Sequence, residues 1–185
     1  AERVKLIFPN MGYKEVWAVP QLTGMGEEEQ FVLLELETEV EAEEVAFEAL
    51  QLFPGEASGI YGFDANFFAD GRWSKLRFTG TVTQNENRVT DLLFDTETNK
   101  EADFSGLSGS PIIADGNIIG IVAQQNTEDG KAIAIKGISV RSSIEFFRAN
   151  AIPVVKKEQG EYQQQKELTF GDHCQVRTPV TIAGI

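Results

Sequence analysis

The chain has 185 residues, 42% of them hydrophobic, with 13 Phe and a formal net charge of −13. That length suits one ordinary domain or two small lobes, and the apolar content excludes a disordered chain. The acidic balance argues against nucleic acid and anionic membrane as partners, and no run is long enough to cross a bilayer.

No charged-then-apolar signal segment opens the chain. The single cysteine, Cys174, leaves no internal disulfide and fits a reducing compartment, so a cytoplasmic location is expected. Residues 3–8 partly alternate and favour a strand. Pro9-Asn10-Met11-Gly12 signals a turn, and residues 15–19 read as the return strand. Thr23-Gly24-Met25-Gly26 is a loop, followed by the apolar run Phe31-Val32-Leu33-Leu34. Then Leu34, Leu36, Val40 and Ala42 alternate with Glu35, Glu37, Glu39 and Glu41. A period of two predicts a strand with one wet face, extending to about Val40. Between Glu15 and Asp70 there are 14 acidic residues and no Lys or Arg. This stretch reads either as a solvated strand face or as a docking face for a basic partner.

After Phe53-Pro54-Gly55-Glu56, residues 59–63 read as a strand. Residues 73–83 and 88–94 read as a strand pair around Asn85-Glu86-Asn87, and residues 95–103 as a polar loop. That loop feeds Gly106-Leu107-Ser108-Gly109-Ser110-Pro111. A serine hydroxyl is a poor nucleophile unless a base takes its proton and fixed donors receive the oxyanion. Flanking glycines let the backbone turn so that amides can point at one spot beside Ser108. Asp115-Gly116-Asn117 between two Ile/Val runs predicts a tight hairpin.

Residues 126–131 read as a turn and residues 132–138 as a final strand. A helix is then expected, with Ser142 and Glu145 as a capping box, an apolar stripe of Val140, Ile144, Phe147 and Ala151, and Pro153 as its stop. Residues 156–165 are charged and Gln-rich, as in a linker or a mobile helix. The only histidine, His173, stands beside Cys174 with no further ligand spacing, so no metal site is expected.

The stretch from Gly106 to Gln125 resembles the nucleophile segment of the trypsin/chymotrypsin-like serine peptidases: Gly-x-Ser-Gly-[Gly/Ser]-Pro, strand, turn, and a strand ending here in Gly120-Ile121-Val122. The resemblance implies an all-β, chymotrypsin-like double β-barrel with its N-terminal barrel incomplete, a C-terminal helix and an appended tail. It places a peptidase domain over residues 1–152, with a partial first barrel (1–52), a second barrel (53–138) and a closing helix (139–152), and a linker over 153–185. It implies Ser108 as nucleophile and the amides of Gly106 and Ser108 as oxyanion hole. Ala123, Gln124 and Gln125 fall on the edge strand that pairs with a substrate backbone.

Ala102 falls at the base of the specificity pocket, so a preference for Lys or Arg side chains is not expected. Leu107 replaces an aspartate of secreted members, so activation by clipping is not expected either. Gln30 takes the position of the aspartate that orients the base; it can hold an imidazole but cannot stabilise imidazolium by charge. The family's histidine would fall before Ala1, and His173 lies in the tail. No cofactor is implied. Residues 177–185 resemble the strand before a phosphate-binding loop in signalling NTPases, without its Gly-Lys-[Ser/Thr], which implies a fused nucleotide-switch domain after this chain. The expected function is a serine endopeptidase domain of a larger intracellular, bacterial protein acting on a protein or peptide, with no detectable hydrolysis by this chain. The alternative is a pseudopeptidase that binds or scaffolds.

Overall fold

The computed structural model describes residues 3–8, 11–21, 31–41, 45–63, 71–81, 90–95, 104–129 and 131–155. Eleven strands and one short helix are formed among them. The first three strands, β1 (Val4–Phe8), β2 (Lys14–Gln21) and β3 (Leu33–Leu36), make an antiparallel sheet in that order. Alternation decides its faces. Leu6, Phe8, Val16 and Ala18 are buried on one side, and Lys5, Ile7, Glu15 and Trp17 are exposed on the other. The exposed Trp17 ring lies under the Arg3 guanidinium at 4.8 Å and beside the Lys5 ammonium at 5.7 Å. Strand β3 ends earlier than the alternation predicts. The chain bends at Glu37 and Thr38, where the Glu37 N–H turns to the Trp17 carbonyl and its carboxylate pairs with Arg3.

The second sheet closes on itself. Its strands are β5 (Ala57–Gly62), β6 (Arg72–Gly80), β7 (Leu92–Asp95), β8 (Pro111–Ala114), β9 (Asn117–Glu128) and β10 (Lys131–Ser139). The order β10-β7-β6-β5-β8-β9 is joined end to end by β9 with β10, giving a closed six-stranded barrel. A barrel this small is filled by inward side chains. On β6, Ser74, Leu76 and Phe78 point in while Lys75, Arg77 and Thr79 are exposed. Ile60, Phe94, Leu107, Ile112 and Ile135, all at 0% exposure, fill the interior. The architecture is therefore the all-β one expected, with a complete second barrel.

Two short strands extend the sheet outside the barrel. β4 (Phe47–Glu48) runs parallel to β9 through Phe47 and Ile118, and β11 (Val154–Val155) runs parallel to β4. The fully buried Glu48 accepts the Asn117 side-chain amide at 2.8 Å, which seats the β8–β9 hairpin. That hairpin turns on two residues, Asp115 (φ 50°) and Gly116 (φ 80°), as Asp-Gly predicts.

Two further expectations fail. Residues 126–128 belong to β9, which runs on to Glu128 opposite Lys131. Their polar side chains resemble a loop, but the β10 ladder satisfies their backbone. The helix α1 (Ile144–Ala149) is six residues long and begins after Ser143 without a side-chain cap. Of the predicted stripe, Phe147 is buried on it and Val140 is buried before it, whereas Ile144 is half-buried and Ala151 is exposed; Phe146 is buried instead. Ser142 forms no capping box, because its N–H and hydroxyl are both engaged by Ser139 at 2.9 and 3.1 Å, while Glu145 pairs with Arg148. Ala151, at φ 54°, ends the helix two residues before Pro153 and is exposed. The helix packs its phenylalanines on Phe31, just before β3, and on Phe47 of β4.

Candidate active site

The serine segment consists of two consecutive tight turns. The Leu107 N–H donates to the Phe104 carbonyl at 3.2 Å, and the Ser110 N–H donates to the Leu107 carbonyl at 2.9 Å. Each turn carries Ser-Gly at its centre, and the glycines sit at φ 90° (Gly106) and φ 84° (Gly109). A positive φ at the third turn position is what favours glycine there. Leu107, shared by both turns, is fully buried in the barrel core and anchors them.

The turn bonds decide which amides remain. Leu107 and Ser110 donate within the turns, and the Gly109 N–H donates across to the Val122 carbonyl at 2.7 Å. Val122 returns its own N–H to the Ser110 carbonyl at 2.9 Å, holding the turns against β9. Among the described residues, the amides of Gly106 and Ser108 donate to no protein group. Ser108 itself is exposed. The segment thus presents an exposed hydroxyl with uncommitted amide donors at Ser108 itself and two residues before it. Such donors can stabilise an anionic oxygen placed beside that hydroxyl.

Of the residues expected at the site, Gly106 and Ser108 share the turn segment, and Gln125 is bonded to the two residues that precede Gly106. Beyond the last β8 pair, Pro111 with Ile121, β9 keeps β10 on one side, and its other side has no strand among the described residues. Ala123 is the extra residue of a bulge, standing between the pairs Val122–Gly137 and Gln124–Lys136. It packs against the apolar cluster that contains Ile121, Phe146 and Phe147, whereas Gln124 is exposed. Gln125 does more than supply an edge. Its carboxamide oxygen accepts the Phe104 N–H at 2.9 Å, and its nitrogen donates to the Ser105 hydroxyl at 3.1 Å. Gln30 and Ala102 lie outside the described residues, as do His173 and the residues from 156 onward.

Two contributors were not visible as site residues in the sequence. Gly62, at the end of β5, leaves the space that Ser110 and Leu107 occupy; a Cβ there would stand 2.2 Å from the Ser110 Oγ. Arg72, opposite Gly62 on β6, places its guanidinium over the Phe104 ring at 5.0 Å. Both act across strands, and no local pattern marks them. Among the described residues there is no histidine and no group of three His, Cys, Asp or Glu side chains able to hold a metal ion. No helix among them is long and apolar enough to cross a membrane.

No family model matches the chain, and no curated protein does. Among solved structures, the fold is similar to that of the protease domain of MamO from Magnetospirillum magneticum in its apo form. The two share 13% identity over 78% of this chain and 74% of that one, with a TM-score of 0.53. At that identity the likeness concerns the fold: the chain has a chymotrypsin-like β fold with the serine turns just before the barrel strand β8.

Proposed function

We propose that the chain is a serine-peptidase-type domain in which Ser108 is the nucleophile and the amides of Gly106 and Ser108 receive the oxyanion. The observation that carries this reading is the division of labour among the turn amides. Those of Leu107, Gly109 and Ser110 are bonded, while those of Gly106 and Ser108 flank an exposed serine uncommitted. A peptide carbonyl placed beside Ser108 would find these donors fixed in place, which lowers the cost of forming a tetrahedral oxyanion. At Ala123 and Gln124, no strand among the described residues pairs with the side of β9 away from β10, and that side offers the acyl side of the peptide a backbone to pair with.

In this reading the 185-residue chain lacks its general base, since its one histidine lies in the tail. Without a base, an oxyanion hole and substrate binding sustain only a small residual rate. A parent protein that supplies the base would hydrolyse peptide bonds through a Ser108 acyl-enzyme, with Gln30 orienting the base. The lack of a histidine among the described residues also favours a second reading, a pseudopeptidase that binds peptides at the same turns. Fluorophosphonate labelling with and without added imidazole separates the two. Slow labelling at Ser108 that imidazole accelerates, and that Ser108→Ala abolishes, is expected of the peptidase-type site. No labelling under either condition would leave only the binding module.

A further inference from the structure

We infer that Gln125 is a positioning residue of the serine site: it keeps the Ser105 hydroxyl away from the turn backbone, and so keeps the Gly106 N–H available to the oxyanion. The inference rests on the serine reading above. The two serine turns are alike in backbone but not in how they are held. Each closes on a bond from its fourth residue to its first and has a positive φ at the third residue alone, as in a type II turn. A type II turn becomes type I when its central peptide turns over, which reverses the N–H of the third residue and leaves the chain path in place. In the second turn that N–H, of Gly109, is fixed by the Val122 carbonyl at 2.7 Å. In the first turn it is the uncommitted N–H of Gly106, and the closing bond, from Leu107 to Phe104, is the longer of the two at 3.2 Å.

Ser105 can undo this arrangement. A serine hydroxyl bonds to the backbone N–H two residues on, as an alternative to the backbone turn. For Ser105 that donor is Leu107, the one that closes the first turn. A hydroxyl that captured it would open the turn and re-aim the Ser105–Gly106 peptide. Gln125 holds the hydroxyl elsewhere: its side-chain nitrogen donates to the Ser105 Oγ at 3.1 Å, while its oxygen accepts the Phe104 N–H at 2.9 Å. Both bonds bear on rigid supports. The Gln125 backbone pairs with Ile135 of β10, and Phe104 is 3% exposed in the barrel core with Arg72 over its ring. Ser105 is exposed, so its rotamer is set by its hydrogen bonds rather than by packing.

Fluorophosphonate labelling in added imidazole tests the role. The Ser108 oxygen bonds to phosphorus, fluoride leaves, imidazole takes the hydroxyl proton, and the phosphoryl oxygen lies where the oxyanion would. Gln125→Met keeps the length of the side chain and loses both bonds. It should label at least about tenfold more slowly, as the partial loss of one oxyanion donor requires. Gln125→Met combined with Ser105→Ala, which removes the competing hydroxyl, should recover to within about threefold of the unaltered chain. A merely structural Gln125 would give no such recovery. By NMR, the Gly106 amide proton should move downfield on labelling of the unaltered chain but not of Gln125→Met. Should circular dichroism show Gln125→Met unfolded, Gln125→Asn, one methylene too short to keep the Ser105 contact, carries the same expectations. Labelling of the Gln125 variant at the unaltered rate, no recovery with Ser105→Ala, or a Gly106 proton that moves alike in both chains overturns the role of Gln125 while the serine site stands. Absence of labelling in the unaltered chain, or labelling indifferent to Ser108→Ala, overturns the serine site and the inference with it.

Discussion

Gly62 and Ser110 are in such close approach that a Cβ on the glycine would lie 2.2 Å from the serine Oγ and 2.7 Å from Leu107 Cδ2. The end of β5 is thereby the floor on which the two serine turns rest. Leu107 has no exposed surface and Ser110 only 5%, so neither can retreat toward solvent without disturbing the core. Gly62→Ala should destabilise the fold by about 1–3 kcal/mol, the usual cost of overpacking. It should also weaken fluorophosphonate labelling at Ser108. Gly80→Ala is the control: a Cβ there meets nothing within 4 Å, and its effect should stay within about 0.5 kcal/mol. Urea unfolding of both variants checks the contrast; equal losses would deny the floor its role.

How far the sequence revealed this site follows from the range of each interaction. The Asp115-Gly116 hairpin was legible because a two-residue turn with positive φ at both positions is encoded locally. A turn at Ser108 was legible from its flanking glycines, but the separate turn centred on Ser105-Gly106 was not. Gln125 was placed on the right strand, but its reach to Phe104 and Ser105 depends on how β9 and the turn segment meet in space. Gly62 and Arg72 were invisible because their partners lie more than thirty residues away. The tail of β9 was misread because Asn126, Thr127 and Glu128 carry loop-like side chains, whereas ladder pairing to β10 decides their backbone. The capping box failed by competition: Ser139 engages both polar groups of Ser142 that the cap requires.

Asp91 and Ser139 tie the start of β7 to the end of β10. The Asp91 carboxylate accepts the Ser139 N–H at 2.7 Å on one oxygen and the Ser139 hydroxyl on the other. Ser139 is 3% exposed and in turn accepts the Ser142 N–H. Asp91→Ala should cost about 1.5–3 kcal/mol, since it strips a buried N–H and a hydroxyl of a charged acceptor. Asp91→Asn, which keeps one carbonyl oxygen, should cost less, and Ser142→Ala, about 0.5–1.5 kcal/mol. Denaturant midpoints for the three variants should fall in that order; a neutral Asp91→Ala would contradict the tie.

The end of α1 is a Schellman motif with an alanine where glycine is preferred. The Ile152 N–H donates to the Phe147 carbonyl at 2.9 Å, and the Ala151 N–H to the Arg148 carbonyl at 3.1 Å. Ala151 sits between these bonds at φ 54° and is exposed. Ile152 packs back on the cluster that holds Phe147, the apolar contact that accompanies this motif. Ala151→Gly relieves the Cβ strain and should raise stability by about 0.5–1 kcal/mol. Thermal unfolding should report a higher midpoint; a lower one would mean that chain entropy outweighs the strain.

Phe147 links the helix to the first sheet as well as to the barrel. Its ring lies 5.3 Å from that of Phe31, which precedes β3, 4.9 Å from that of Phe47 on β4, and 5.7 Å from that of Phe146. It is 1% exposed. Removing the ring leaves a cavity that three neighbouring aromatics line, and their attachment to separate backbones limits collapse. Phe147→Ala should therefore cost about 3–5 kcal/mol. The loss should not be uniform. Because Phe31 also packs on Phe146, hydrogen exchange at β3 should accelerate more than at β6, whose partners β5 and β7 are untouched. A variant that loses protection equally at β3 and β6 would show that the helix serves only the barrel and that the first sheet is held by other contacts.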